Sequence, residues 1–434
     1  MAINERFACK GYQAWTSRPD ALARFEPTRR GVLAALGLGT VSWLGARSAF
    51  SQLVVAPARV EQPTLVVVFL RGGMDGLNVV VPYGDDDYHR LRPNLALRKA
   101  QVLDLDGTFG LHPRLAPLLP LYREGSMAIV HAVGSGDQTR SHFEAMAAME
   151  RGLFTDSDAL ASGWLARYLR ASPGTSSSPL RAVAFGPVLP DSLRGATQAT
   201  AIASLDDYRL TDGKGKLTRD AFAENLRRLY GKRQDEVSLA GFETLNVLDA
   251  LHSLEPSRRR EGGPYPETAF GDAVRQCATL LKAEVGVEAA CLDMGGWDTH
   301  VYQGSVEGWQ AGLLDELARS LAAFVADLGP RMKRTTIVVM TEFGRRVKEN
   351  EGLGTDHGRG SALFALGAGV QGGRLYVDWP GLGPDALEGP GDLRVTTDYR
   401  NVLWSAVSAS LGEPGLNETF PGLQPDPHPA LAKA

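Results

Sequence analysis

Apolar positions along the chain fall into short continuous runs separated by amphipathic stretches, a texture that predicts buried strands alternating with covering helices. Thr64–Leu70, Met127–Ala132, Leu180–Phe185, Val287–Met294, Thr335–Met340 and Ala362–Gly367 read as strands. The strongest are β-branched without alternation, as expected of strands covered on both faces. Helical spacing marks Leu115–Glu124, Ser141–Gly152, Arg219–Tyr230, Glu243–Leu254, Phe270–Ala283, Gly312–Leu328 and Asp398–Leu411. This alternation predicts an α/β protein, a three-layer α/β/α sandwich around a mostly parallel central sheet. The stretch from about Pro173 to Pro266 departs from it, opening on a Pro-Gly-Thr-Ser loop and continuing with charged helical segments. It reads as an insertion or cap beside the sheet.

The first 51 residues stand apart. Thr28-Arg29-Arg30 precedes an apolar run from Val32 to Leu44, and Ala49-Phe50-Ser51 offers a cleavage site before Gln52. This is the pattern of a twin-arginine signal peptide, with residues 52–434 as the mature, periplasmic or secreted domain. A membrane anchor is the alternative. The run is short of the roughly 20 residues a span needs, and Arg47 interrupts it, so no stable transmembrane segment is expected.

Composition narrows the class further. Of 434 residues, 44% are hydrophobic and 22% charged, and the net charge is −4 with no long basic block. A nucleic-acid partner is therefore not expected. Once Cys9 leaves with the leader, only Cys277 and Cys291 remain, too few for a disulfide framework or a cysteine metal site.

Candidate chemistry sits where strands end. Arg71-Gly72-Gly73-Met74-Asp75, Asp298-Thr299-His300, Thr341-Glu342-Phe343-Gly344-Arg345 and Thr355-Asp356-His357 each lie close to a strand. Open α/β sheets build ligand sites at such ends. Asp298 and His300 lie two apart, so an extended loop points both to one side. Glu342 and His357 come from neighbouring strands. Carboxylates and imidazoles so grouped suit a divalent metal, and zinc, manganese and calcium all accept these donors. Each segment has a plainer reading: Glu342 caps a helix and pairs with Arg345, His300 sits in an Asx-turn loop, and the Gly72-Gly73 segment is a tight turn. Arg71 suits an anion. Thr139-Arg140-Ser141-His142 opens a helix, where Ser141 or Thr139 could be a nucleophile assisted by His142 or Arg140, or a plain N-cap.

The ordered set LRGGMDGLN, TRSHFEAM…ERG, GGWDTH, TEFGR, GTDHGRGSALFALGAGV and TTDYRNVLW resembles the exported bacterial proteins called the domain of unknown function 1501 family. That family is similar to the alkaline phosphatase and sulfatase superfamily. The resemblance implies an alkaline-phosphatase-like sandwich and a hydrolase acting on a phosphate or sulfate ester, on an anionic ester or envelope glycan. It also implies a non-catalytic envelope protein as the rival, with an exported partner protein. Residue by residue, it places Ser141 or Thr139 at the nucleophile and a metal at Asp298, His300, Glu342 and His357, with Asp75 or Asp356 contributing. Arg71, Arg140 or Arg345 would hold the equatorial oxygens. Phe343 stands where that superfamily carries a ligand histidine.

Overall fold

The computed structural model describes residues 62–431, apart from 154–161, 173–177, 179, 206–218, most of 231–262, 413–414, 425 and 427–430. The expected signal peptide with its cleavage site, and Cys9, lie outside the described residues, as does much of the expected insertion at 173–266.

Twelve strands are present among the described residues: β1 (Thr64–Leu70), β2 (Val80–Val81), β3 (Leu103–Asp104), β4 (Gly110–Leu111), β5 (Met127–Gly134), β6 (Ala182–Phe185), β7 (Ala199–Ile202), β8 (Ala289–Met294), β9 (Thr335–Thr341), β10 (Ser361–Gly367), β11 (Arg374–Tyr376) and β12 (Thr397–Asp398). Nine form the main sheet in the order β11-β5-β10-β9-β1-β8-β6-β7, with β12 also on β5, and β2, β4 and β3 form a small second sheet. The main sheet is parallel except at β10, which runs antiparallel to both β5 and β9. Strands β6 and β7 extend the sheet edge through parallel pairing, so the 180–205 part of the expected insertion belongs to the sheet itself.

Alternation along β1 divides the interior into two cores. Val66, Val68 and Leu70 pack under α4 (Ala269–Lys282) and α5 (Trp309–Leu328). Leu65, Val67 and Phe69 face α1 (His142–Arg151), α2 (Trp164–Ala171) and α6 (Tyr399–Leu411). A further helix, α3 (Arg219–Tyr230), follows β7 in the chain. A strand buried on both faces needs this double covering, and the three layers are its consequence. The Leu115–Glu124 pattern resolves into a 3₁₀ turn, Pro113–Leu118, and a short helix, Leu119–Arg123. Pro117 and Pro120 remove the amide donors that one continuous helix would use.

The reversal of β10 has a direct effect on the site. Strands β1, β5, β8 and β9 all end at one edge of the sheet, and β10 begins there. Residues after the parallel strands and residues before β10 therefore meet.

Candidate metal centre

Asp298 Oδ1 is the focus of that edge. His300 Nε2 lies 3.0 Å from it, His357 Nε2 3.1 Å and His142 Nε2 3.5 Å. His300 Nε2 and His357 Nε2 are 2.9 Å apart. His142, Asp298 and His357 each offer one ligand atom, all within 4.8 Å of one another, and form a group that could hold a metal ion.

The donor chemistry fits a cation. His357 Nδ1 donates to the Arg140 carbonyl at 2.9 Å, which turns its Nε2 toward Asp298. His142 Nδ1 donates to Glu342 Oε1 at 2.8 Å, and its buried Nε2 has no hydrogen-bond partner. Two imidazoles thus present Nε2 to one carboxylate oxygen, at 3.1 Å from His357 and 3.5 Å from His142. Zinc–nitrogen bonds of about 2.0 Å would give a tetrahedron edges of about 3.3 Å, close to the observed spacings. Histidines that hand their second nitrogen to a carboxylate or carbonyl are the usual arrangement around a metal. The site is partly open, since the Asp298 side chain is 34% exposed and that of His300 37%.

Several close approaches build this geometry. Gly72, at φ 123°, lies so near the Asp298 loop that a Cβ there would fall 2.6 Å from Asp298 N. Its own N–H donates to Glu342 Oε1 at 2.8 Å. Arg140 adopts the left-handed region, φ 55°, and this aims its carbonyl at His357. The connection between β9 and β10 is folded as a hairpin mouth: Gly344 N donates to Arg359 O, Gly358 N to Gly344 O, and Arg345 bridges His357. Phe343 is 5% exposed and its ring lies 4.8 Å from the His142 ring and 4.9 Å from that of His357. It packs against both imidazoles.

Electrostatics follow from these contacts. Burial alone would raise the Asp298 carboxyl pKa, but the nearby imidazoles of His142, His300 and His357 and the charge of Arg345 hold it far below the ordinary carboxylate range. Burial draws His142 down, yet the Asp298 and Glu342 carboxylates outweigh it and push its pKa up to about 9.

Other residues read from the sequence fall in different places. Asp75, expected as a ligand, is fully buried, and Arg92 and Gln303 take its carboxylate. Glu342, expected as a ligand, stands one bond behind His142, and Asp356 stands 3.6 Å from His300 Nδ1. His142, expected to assist a nucleophile, is in the ligand group itself. The three arginines expected to hold an anion are already engaged. Arg71 pairs with Glu150 and Asp293, and Arg140 with Asp392. Arg345 donates to the carbonyls of Gly72, Gly73, Trp297 and Thr355 and to Asp298. Thr139 Oγ1 is 2.8 Å from Asp137 Oδ2, and Ser141 occupies the N-cap of α1 without a capping bond. Gln303, which no sequence pattern marks, sits between the ligand loops and is fully buried.

No curated protein matches the chain. Among solved structures, Ps i-CgsB in complex with k-i-k-neocarrahexaose aligns over 83% of this chain and 74% of that one, at 9% identity and a TM-score of 0.39. A 2-O GAG sulfatase, BT1596, aligns over 73% and 66%, at 12% identity and 0.28. The alkaline phosphatase from the Antarctic bacterium TAB5 aligns over 71% and 92%, at 10% identity and 0.25. The model of the family described as protein of unknown function (DUF1501) matches residues 62–398, and the chain belongs to that family.

Proposed function

We propose that this is an exported, metal-dependent hydrolase-like protein that acts on a phosphate or sulfate ester in the periplasm or outside the cell. The observation that carries the reading is the convergence of three imidazole nitrogens on Asp298 Oδ1 at a partly open sheet edge. Structural metal sites close their coordination sphere, whereas catalytic ones keep a position for water or substrate. His142, Asp298, His300 and His357 would hold the divalent cation, which would supply Lewis-acid stabilisation of charge on the ester oxygens. Glu342 and the Arg140 carbonyl fix two of the imidazoles in the tautomer that offers Nε2. Phe343 packs against the same two rings. Of the two hydroxyls, Ser141 is the better candidate for attack, since it adjoins His142 and is not spent in a cap, while Thr139 is turned to Asp137.

One observation favours a second reading, a metal-binding envelope protein without turnover. Arg71, Arg140 and Arg345 are all neutralised by carboxylates or occupied by carbonyls, so none stands ready for an ester's anionic oxygens. Metal analysis of the purified protein, then an aryl phosphate and aryl sulfate screen with His357→Ala as control, separates the two. Metal with turnover lost in the variant supports the hydrolase, metal without turnover supports the binder, and a chain free of metal after zinc and manganese loading rejects both. Among the described residues no helix is long and apolar enough to cross a membrane.

A further inference from the structure

We infer that Gln303 is a positioning residue that sets the spacing of the ligand histidines, an inference that rests on the metal reading above. Gln303 is fully buried, three residues beyond His300. Its Oε1 accepts from Thr299 Oγ1 at 2.9 Å and from Thr355 Oγ1 at 2.6 Å. Thr299 lies between Asp298 and His300, and Thr355 lies two residues before His357. One amide oxygen thus clasps both ligand loops. The other end of the amide is anchored, since Nε2 donates to Asp75 Oδ2 at 2.6 Å. Asp75 is in turn held by Arg92 through two guanidinium nitrogens.

The site demands an amide. Two hydroxyl donors face Oε1 and a carboxylate acceptor faces Nε2, so the group must accept on one side and donate on the other. Glutamate would set a second carboxylate against Asp75, and an apolar residue would leave two buried threonine hydroxyls without the acceptor they share. Main-chain bonds run alongside the clasp: Gln303 N donates to Leu353 O, Tyr302 N to Gly352 O, and Thr355 N to Thr299 O. Gln303 therefore locks the distance between the loop bearing Asp298 and His300 and the loop bearing His357. Asp75, read from the sequence as a ligand, becomes the anchor of this clasp.

The test uses the mature chain with Gln303→Glu and Gln303→Met. Cobalt(II) titration with visible absorption reads ligand geometry, and hydrogen exchange of the metal-free protein reads the loops. Both variants should bind cobalt roughly 10–100-fold more weakly, the range for a residue supporting a metal ligand, with an altered cobalt spectrum. Segments 296–303 and 352–358 should exchange faster together while β1 and β9 remain protected. Cobalt affinity, spectrum and exchange all equal to wild type would overturn the assignment. Should the wild-type chain itself take up no cobalt, the metal reading fails, and exchange alone decides: a paired rise in the two loops upholds the clasp, and an unchanged pattern rejects it.

Discussion

His142 Nδ1 lies 2.8 Å from Glu342 Oε1, so the glutamate at the end of β9 orients the imidazole of the first residue of α1, which the proposed metal centre would use as a ligand. Replacing Glu342 by Gln keeps the shape and removes the charge, and should weaken zinc binding roughly 10-fold; Glu342→Ala should approach 100-fold. Competition against a chromophoric chelator measures both. Wild-type affinity in Glu342→Ala would refute the orienting role.

Asp75 offers a separation of structural from ligand roles. Its ion pair with Arg92 is fully buried on both sides, and breaking such a pair leaves an uncompensated charge at a cost of about 3–5 kcal/mol. Asp75→Asn should therefore lower the urea midpoint strongly while metal stoichiometry at saturation stays at the wild-type value. A lost metal equivalent would return Asp75 to the coordination sphere.

His131 predicts an acid-sensitive fold. It is fully buried in β5, with Nε2–H donating to Val80 O, and burial brings its pKa down to about 4 despite that bond. The unfolded chain, with an ordinary histidine near 6.5, binds the proton first. Stability from this residue is complete above about pH 6.5 and is lost as the pH falls toward 4, by about 3 kcal/mol in all. Urea unfolding of wild type and His131→Asn across this window checks it, and equal slopes in the two proteins would contradict it.

Phe343 supplies a packing test. Its ring touches two ligand imidazoles, and truncation to Ala should cost about 3–4 kcal/mol through the cavity left. Phe343→Leu should keep most of the stability but loosen the imidazoles, seen as a weaker metal affinity. A variant with both properties intact would remove Phe343 from the site's support.

Cys277 and Cys291 are free and buried, and burial raises both thiols well above the ordinary range. Thiolates, not thiols, are the reactive form. Alkylation at pH 8, followed by peptide mass mapping, should label neither position until denaturant is added.

The strands and their ends were legible because continuous β-branched runs and the glycines after them are local features. Asp298, His300 and His357 were visible for the same reason, lying beside strong strands. The role of His142 was hidden, because a Ser-His at a helix start reads first as a cap, and only the tertiary approach of Glu342 turns the imidazole inward. Glu342 carries the right chemistry one bond behind His142, and Asp75 lies further back, paired with Arg92 and Gln303, a distinction that residue type cannot encode. Gln303 left no trace at all, since a lone polar residue in a loop has no period and its partners lie 4, 52 and 228 positions away.

The reversed strand β10 gives the centre a mechanical property. Glu342 leaves β9 and His357 approaches β10, so both belong to one hairpin mouth, stitched by the bonds among Gly344, Gly358 and Arg359. Opening that mouth would release a ligand and the support of another in a single event. A cation bound at the proposed centre would act as a clip on two neighbouring strands, and its loss and the fraying of the β9–β10 connection would become the same transition.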